Sequence, residues 1–212
     1  MTNKEKILKT KNIQGKTKEK TIKELVESPG KCKGECLRSV YLHIKKTKGE
    51  EGLAKIEKEM KDLGYPVDFK KVKAFDWYPI GLRALTLVAL RRAFLWENKD
   101  VEKYGEALLD YSFVFKTILK FVSSFKDFFK RSDFYWKKHF TVGRMETYLF
   151  DKKRKRATVR IHDFKIHPDF CFLLLGYFKK LGKLSGKKNV KIEETKCIFK
   201  GDPYHEYVVS WE

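Results

Sequence analysis

Apolar positions recur at helical spacing through most of the chain and switch to alternation near its end. From Glu35 onward, Leu37, Val40, Tyr41 and Ile44 share one helix face, and Glu50 to Leu63 continues with Leu53, Ile56 and Met60 until Gly64 closes the run. Tyr78-Pro79 opens a longer helix whose Leu82, Leu85, Leu87, Val88 and Leu90 leave few polar positions, so it belongs at the centre of the core; Arg91 and Arg92 mark its exposed end. Val101 to Lys130 reads as two further helices, the second with Val114, Ile118, Phe121, Phe125 and Phe128 at helical spacing. The period then becomes two. Val142 to Phe150 is strand-like, and in Ala157 to His162 apolar Ala157, Val159 and Ile161 alternate with Thr158, Arg160 and His162. Phe170 to Leu181 predicts a helix ended by Gly182 and Gly186, and strands at Val190 to Phe199 and Tyr204 to Trp211 are joined by Lys200-Gly201-Asp202-Pro203. Helices, a hairpin, a helix and a second hairpin predict an α+β fold, with N-terminal helices packed on an antiparallel sheet.

At 212 residues, 42% hydrophobic, the chain supports one substantial core, and its 17 Phe, 10 Tyr and 4 Trp exclude wholesale disorder. The expected division is a basic flexible arm at 1–25 followed by a single domain at 26–212. The apolar stretch Ile80 to Trp96 is broken by Arg83, Arg91 and Arg92, so no membrane-spanning helix is expected. The N-terminus is charged and lacks an apolar h-region, from which a cytoplasmic location is expected.

Lys and Arg number 48 against 28 Asp and Glu, a formal charge of +20. A field of that sign attracts nucleic acid or anionic lipid. The alternative is that Lys solubilises helix faces, as in IEKEMKDLG, and no nucleic-acid-binding signature accompanies the charge. Nucleic acid is therefore a possible partner that the pattern does not favour. Two concentrations stand out: Met1 to Lys23, with eight Lys against two Glu, and Lys152 to Arg156, read as an exposed hairpin turn.

Most catalytic signatures are absent. Gly182 to Lys188 lacks the spacing of a phosphate loop, and there is no GxGxxG, GxSxG, HExxH or EF-hand loop. No nucleophile with its base is legible, so the expected protein is not an enzyme. Cys32 and Cys36 form a CxxxC, which matches neither a redox pair nor an iron–sulfur motif. Cys197 is different. It precedes a tight connection, with His205 on the return strand, so a hairpin closing there opposes thiol and imidazole. Glu194 lies at an odd offset from Cys197 and needs a bulge or strand start to reach the same face. Cys171, on the preceding helix, offers a fourth donor. Cys171, Glu194, Cys197 and His205 together supply the S, N and O atoms that tetrahedral Zn²⁺ accepts in a structural site; a buried Cys pair beside a His is the alternative.

The segment from Gly143 to Trp211 resembles the 4-vinyl-reductase-type domain on these residues: Cys171, then Glu194-Thr195-Lys196-Cys197, then Lys200-Gly201-Asp202-Pro203-Tyr204-His205. That domain shares its fold with the sensory domains of phenol-responsive activators, the TRAPP tethering subunits and, more remotely, haem-nitric-oxide-binding domains. The resemblance implies a structural zinc on Cys171, Glu194 and Cys197, with His205 standing where the phenol sensors have a last Cys. It also implies an effector cavity nearby, with Phe113, Phe121, Phe125, Phe128, Phe134 and Trp136 as candidate walls; the alternative for this aromatic stripe is a packed core. The haem branch is disfavoured, because the Tyr-x-Ser-x-Arg clamp is absent and none of His43, His139, His162 or His167 marks an axial ligand. The expected function is a non-enzymatic small-molecule-binding or regulatory domain for an apolar or aromatic ligand, acting as a homodimer or with a protein partner. An assembly module of the same fold is the alternative.

Overall fold

The computed structural model describes residues 21–112 and 125–212. Thr21 caps a short helix, α1 (Ile22–Val26), through a capping box: its hydroxyl accepts from the Glu24 N–H while the Glu24 carboxylate accepts from the Thr21 N–H. Ile22 and Leu25 are buried in the core, so Thr21 to Leu25 belong with the domain and not with an arm extending to residue 25. Strand β1 (Lys31–Lys33) leads into α2 (Glu35–Asp62) and pairs antiparallel with β2 (Trp77–Pro79). Helix α2 holds both predicted helical runs, and they meet at Gly49, whose φ of 66° and ψ of −164° break the helix.

Pro79 fixes the entry to α3 (Ile80–Phe94), which is buried almost throughout and central, as its pattern predicts. Then come α4 (Asn98–Tyr111), α5 (Phe125–Lys130) and α6 (Ser132–His139). The C-terminal part adds β3 (Arg144–Asp151), β4 (Arg156–His162), α7 (Asp169–Leu184), β5 (Lys191–Lys196), a 3-10 turn (Ile198–Lys200) and β6 (His205–Ser210). The sheet is antiparallel in the order β3-β4-β6-β5. The alternation read at Ala157, Val159 and Ile161 is the buried face of β4, and Val159 and Ala157 stand opposite buried Tyr207 and Val209 of β6. The fold is α+β, with helices over an antiparallel sheet.

Helices α4 and α7 cross backbone to backbone. A methyl group at Gly105 would overlap the Leu173 carbonyl oxygen, and one at Gly176 would overlap the Glu102 carbonyl oxygen. At the other end of α7, Asp169 accepts from Arg91 Nη2 at 2.8 Å and Nε at 2.9 Å, tying α7 to the end of α3. Among the described residues, no helix is long and apolar enough to cross a membrane.

Candidate functional site

Among the described residues, two assemblies of side chains carry chemistry. The first lies where the last hairpin meets α7. Strand β5 loses register with β6 between Glu194 and Lys196, so Thr195 is an extra residue in the ladder. That bulge turns Glu194 and Cys197 toward the same side. Past β5 the chain tightens around the Cys197 carbonyl, which accepts from the N–H groups of Lys200 and Asp202, while the Asp202 carboxylate accepts from the Cys197 N–H at 2.7 Å. Gly201 closes the turn at φ +100°, a conformation that suits glycine. His205 then opens β6, and Cys171 descends from the first turn of α7.

These four side chains converge: one donor atom from each lies within 4.8 Å of every other. Cys171 Sγ is 3.7 Å from Cys197 Sγ and 3.8 Å from His205 Nδ1, which in turn is 3.1 Å from Glu194 Oε1. His205 Nε2 lies 3.3 Å from the Phe164 carbonyl, to which it donates; the other nitrogen, Nδ1, faces the cluster. The Tyr207 hydroxyl donates to Glu194 Oε1 at 3.2 Å. Hydrogen bonding from Cys171 draws the Cys197 thiol down to about 5 against the opposing effect of burial, and His205 helps. Cys171 is pushed far up by its contact with Cys197 and by burial. Burial opposes a charge on His205, but Cys197 and Glu194 outweigh it and raise the imidazole to about 9. Glu194 also pays for burial and is nonetheless lowered by His205. At neutral pH the cluster therefore holds a thiolate and a carboxylate against one imidazolium.

The second assembly is a partly open cavity of about 90 Å³ bordered by α2, α3, α4, α6 and α7. Its walls are largely apolar, from Leu108 and Leu109 on α4, Leu173 and Leu174 on α7, Trp136 on α6 and Met145 on β3. Polar groups enter from α2, α3 and α6: Glu35, Cys36, Ser39, Arg83 and His139. The Glu35 carboxylate meets His139 Nε2 at 2.8 Å and the Ser112 hydroxyl at 3.2 Å, and His139 Nδ1 donates to the Tyr135 carbonyl at 3.0 Å. Burial disfavours the charged imidazole of His139, yet Glu35 and Cys36 outweigh it and raise its pKa.

The expected aromatic walls separate on inspection. Trp136 lines the cavity and donates from Nε1 to the Val142 carbonyl at 2.9 Å. Phe134, two residues earlier, is exposed and carries Lys138 over its ring, so it is no wall. Phe128 is buried, stacked on Tyr135, outside the cavity lining. Phe113 and Phe121 lie outside the described residues, as does the side chain of Phe125.

Sequence reasoning missed Arg83 and His43. His43 is half-buried among Trp96, Tyr104 and Tyr111, its Nδ1 without a partner, and burial, with Lys46 nearby, lowers its pKa to about 4. A folded-state pKa below the unfolded value of about 6.5 means the unfolded chain binds more protons in that window. This contribution is complete above pH 6.5 and lost as pH falls toward 4. After allowance for partial solvent access it amounts to about 1–2 kcal/mol. Urea midpoints compared at pH 7.5 and 4.5 are expected to fall less in His43→Phe than in wild type; an equal fall in both removes His43 from the account.

No protein-family model matches the chain, and no curated protein matches it. Solved structures do. The chain is similar to an H-NOX protein from S. oneidensis in the Fe(II)NO state, at 11% identity and TM-score 0.63, covering 85% of this chain and 99% of that one. A structure concerned with haem distortion in the H-NOX family matches at 9% identity and TM-score 0.63, covering 85% and 95%. An oxygen-binding H-NOX domain related to soluble guanylate cyclases matches at 9% identity and TM-score 0.58, covering 84% and 92%. At such identities the likeness is one of fold. The fold is thus like that of these H-NOX domains, and the 4-vinyl-reductase resemblance gains no separate support. The expectation of zinc as the cofactor is corrected by the same comparison, because these solved domains are described with haem and Fe(II).

Haem does not suit the described residues of this chain. At about 90 Å³ the cavity has no room for a porphyrin. The imidazole lining it, His139, has both ring nitrogens engaged, by Glu35 and by the Tyr135 carbonyl. His43, with a partnerless Nδ1, is not part of that wall.

Proposed function

We propose that this protein is a non-enzymatic small-molecule-binding domain, with the cavity between α4, α6 and α7 as its ligand site. One observation carries the reading: an apolar cavity with a few convergent polar groups, in a fold whose solved examples include an oxygen-binding domain. The Cys171, Glu194, Cys197 and His205 cluster is the second part of the proposal. Two thiols, a carboxylate and an imidazole at these distances, carrying net negative charge out of water, suit a divalent cation that accepts thiolate, and such an ion would pin the last hairpin to α7. All four donors are protein side chains, so the cation's part is structural. Occupancy of the cavity would be relayed to a protein partner or a second copy of the chain.

The indole N–H of Trp136 reports on the cavity. Titration with 1-butanol is expected to shift that ¹⁵N–¹H resonance saturably in wild type and to leave it unmoved in Leu174→Trp, where the added ring fills the space. A wild-type resonance indifferent to the alcohol overturns the binding reading.

A further inference from the structure

Among the described residues Arg83 is the largest fully buried side chain, 1% exposed, and it lines the cavity. Neither terminal nitrogen of its guanidinium, Nη1 or Nη2, has a hydrogen-bond acceptor. A buried lysine can escape such a situation by shedding its proton; a guanidinium cannot. Its visible compensation is Tyr104, whose ring centroid lies 5.3 Å from Cζ and whose hydroxyl, shared with Ser39 at 3.1 Å, also interacts with the guanidinium. A ring face offsets only part of the cost of burying a cation.

The other charged groups of the cavity do not neutralise it. Glu35 and His139 form a pair of their own, which leaves Arg83 as one uncompensated positive charge. Cys36, also in the wall, is held neutral: its contact with Cys32, and then burial, push its thiol well up. Cys32 lies behind the wall. Its thiol is lowered, chiefly by Cys36 and against burial, with Arg83 contributing, which makes it the competing counter-charge.

Resting on the binding-domain reading above, we infer that the ligand is a small monocarboxylate, whose two oxygens accept the paired N–H groups of Arg83 while its apolar body lies among Leu109, Leu173, Leu174 and Trp136. A planar carboxylate matches the guanidinium fork in geometry. Its single charge equals the single charge left over, whereas a phosphate dianion would bring a second charge into an apolar space of about 90 Å³.

The test is calorimetric titration of the whole chain with butyrate and with 1-butanol at fixed ionic strength. Butyrate is expected to bind wild type at least tenfold more tightly than the alcohol. In Arg83→Met that advantage is expected to vanish while alcohol binding persists, and the melting temperature is expected to hold or rise, since an unpaired buried charge has gone. A merely structural Arg83 would lower it. If Arg83→Met does not fold, Arg83→Lys, which keeps the charge and loses the fork, is expected to weaken butyrate and spare the alcohol. Cys32→Ser is expected to keep butyrate binding at wild-type strength. Alcohol binding with butyrate no tighter overturns the carboxylate assignment and leaves the binding domain standing; binding of neither ligand overturns both. Butyrate binding that emerges only in Cys32→Ser identifies the thiolate as the counter-ion of Arg83 and also overturns the inference.

Discussion

If the cluster holds a divalent cation as proposed, Cys197→Ser is expected to come off purification without it and to be about 3–5 kcal/mol less stable to urea, the range for removing one partner from a buried charged cluster. The reason lies in what surrounds the sulfur. Cys197 is buried, 3.7 Å from Cys171, and stands with Glu194 and His205 in a cluster whose donors all lie within 4.8 Å of one another. A serine hydroxyl does not ionise near neutral pH and is a poor ligand for a thiolate-preferring ion, so the variant loses the ion and leaves buried Cys171 and His205, and Glu194 beside them, without it. The loss should be cooperative, because the same contacts close the hairpin of β5 and β6 against the start of α7. Plasma mass spectrometry of both proteins, with denaturation curves for each, reads the result. Wild type purified with no bound transition metal, or a variant as stable as its parent, overturns the cation assignment.

Gly176→Ala is expected to cost about 3 kcal/mol, a drop in melting temperature of about 8 °C for a chain of this size. An alanine would ordinarily favour a helix by about 1 kcal/mol, so the sign itself is informative. The added methyl meets backbone: the Glu102 carbonyl oxygen, and then Glu106 N at 2.7 Å. Neither can swing aside as a side-chain tip would, so α4 and α7 must part. The ion pairs bridging the two helices, Lys179 with Glu102 and Glu106, Lys180 with Asp110, and Lys183 with Glu106, are partly exposed and individually weak, and do not make good the lost contact. Because Leu108, Leu109, Leu173 and Leu174 flank this crossing, the cavity should widen too. Thermal denaturation decides the matter, and a Gly176→Ala protein that melts at or above the wild-type temperature would falsify the backbone-contact account.

What could be read from residue order follows from how far each signal reaches. Long periodic segments announced themselves: α3 by its dense leucines, β4 by its strict alternation, α7 by an apolar run ended by glycine. The four-donor cluster was legible because cysteine and histidine are scarce and the connection between Cys197 and His205 is short enough to fix their pairing. Thr195 gave no sign that it would be the bulged residue, although the offset of Glu194 required one nearby. The three-residue strands β1 and β2 are too short to show any period. Arg83 was misleading in an instructive way. In the sequence it is a charge interrupting an apolar run, which speaks against a membrane helix; whether it faces water or a cavity depends on what α2, α4 and α7 bring against α3. Phe134 and Trp136 make the same point, since two positions along a helix turn one ring outward and the other in.

The two register breaks in the sheet have an effect beyond the placement of Glu194. One interrupts β5, and the other, between Thr147 and Leu149, interrupts β3. With the order β3-β4-β6-β5 these are the two outer strands. Each border of the sheet therefore presents a broken row of peptide groups instead of a continuous template, and β5 adds charge along its length, as Lys191, Glu193, Glu194 and Lys196. A chain with 17 phenylalanines is thus discouraged from polymerising strand upon strand.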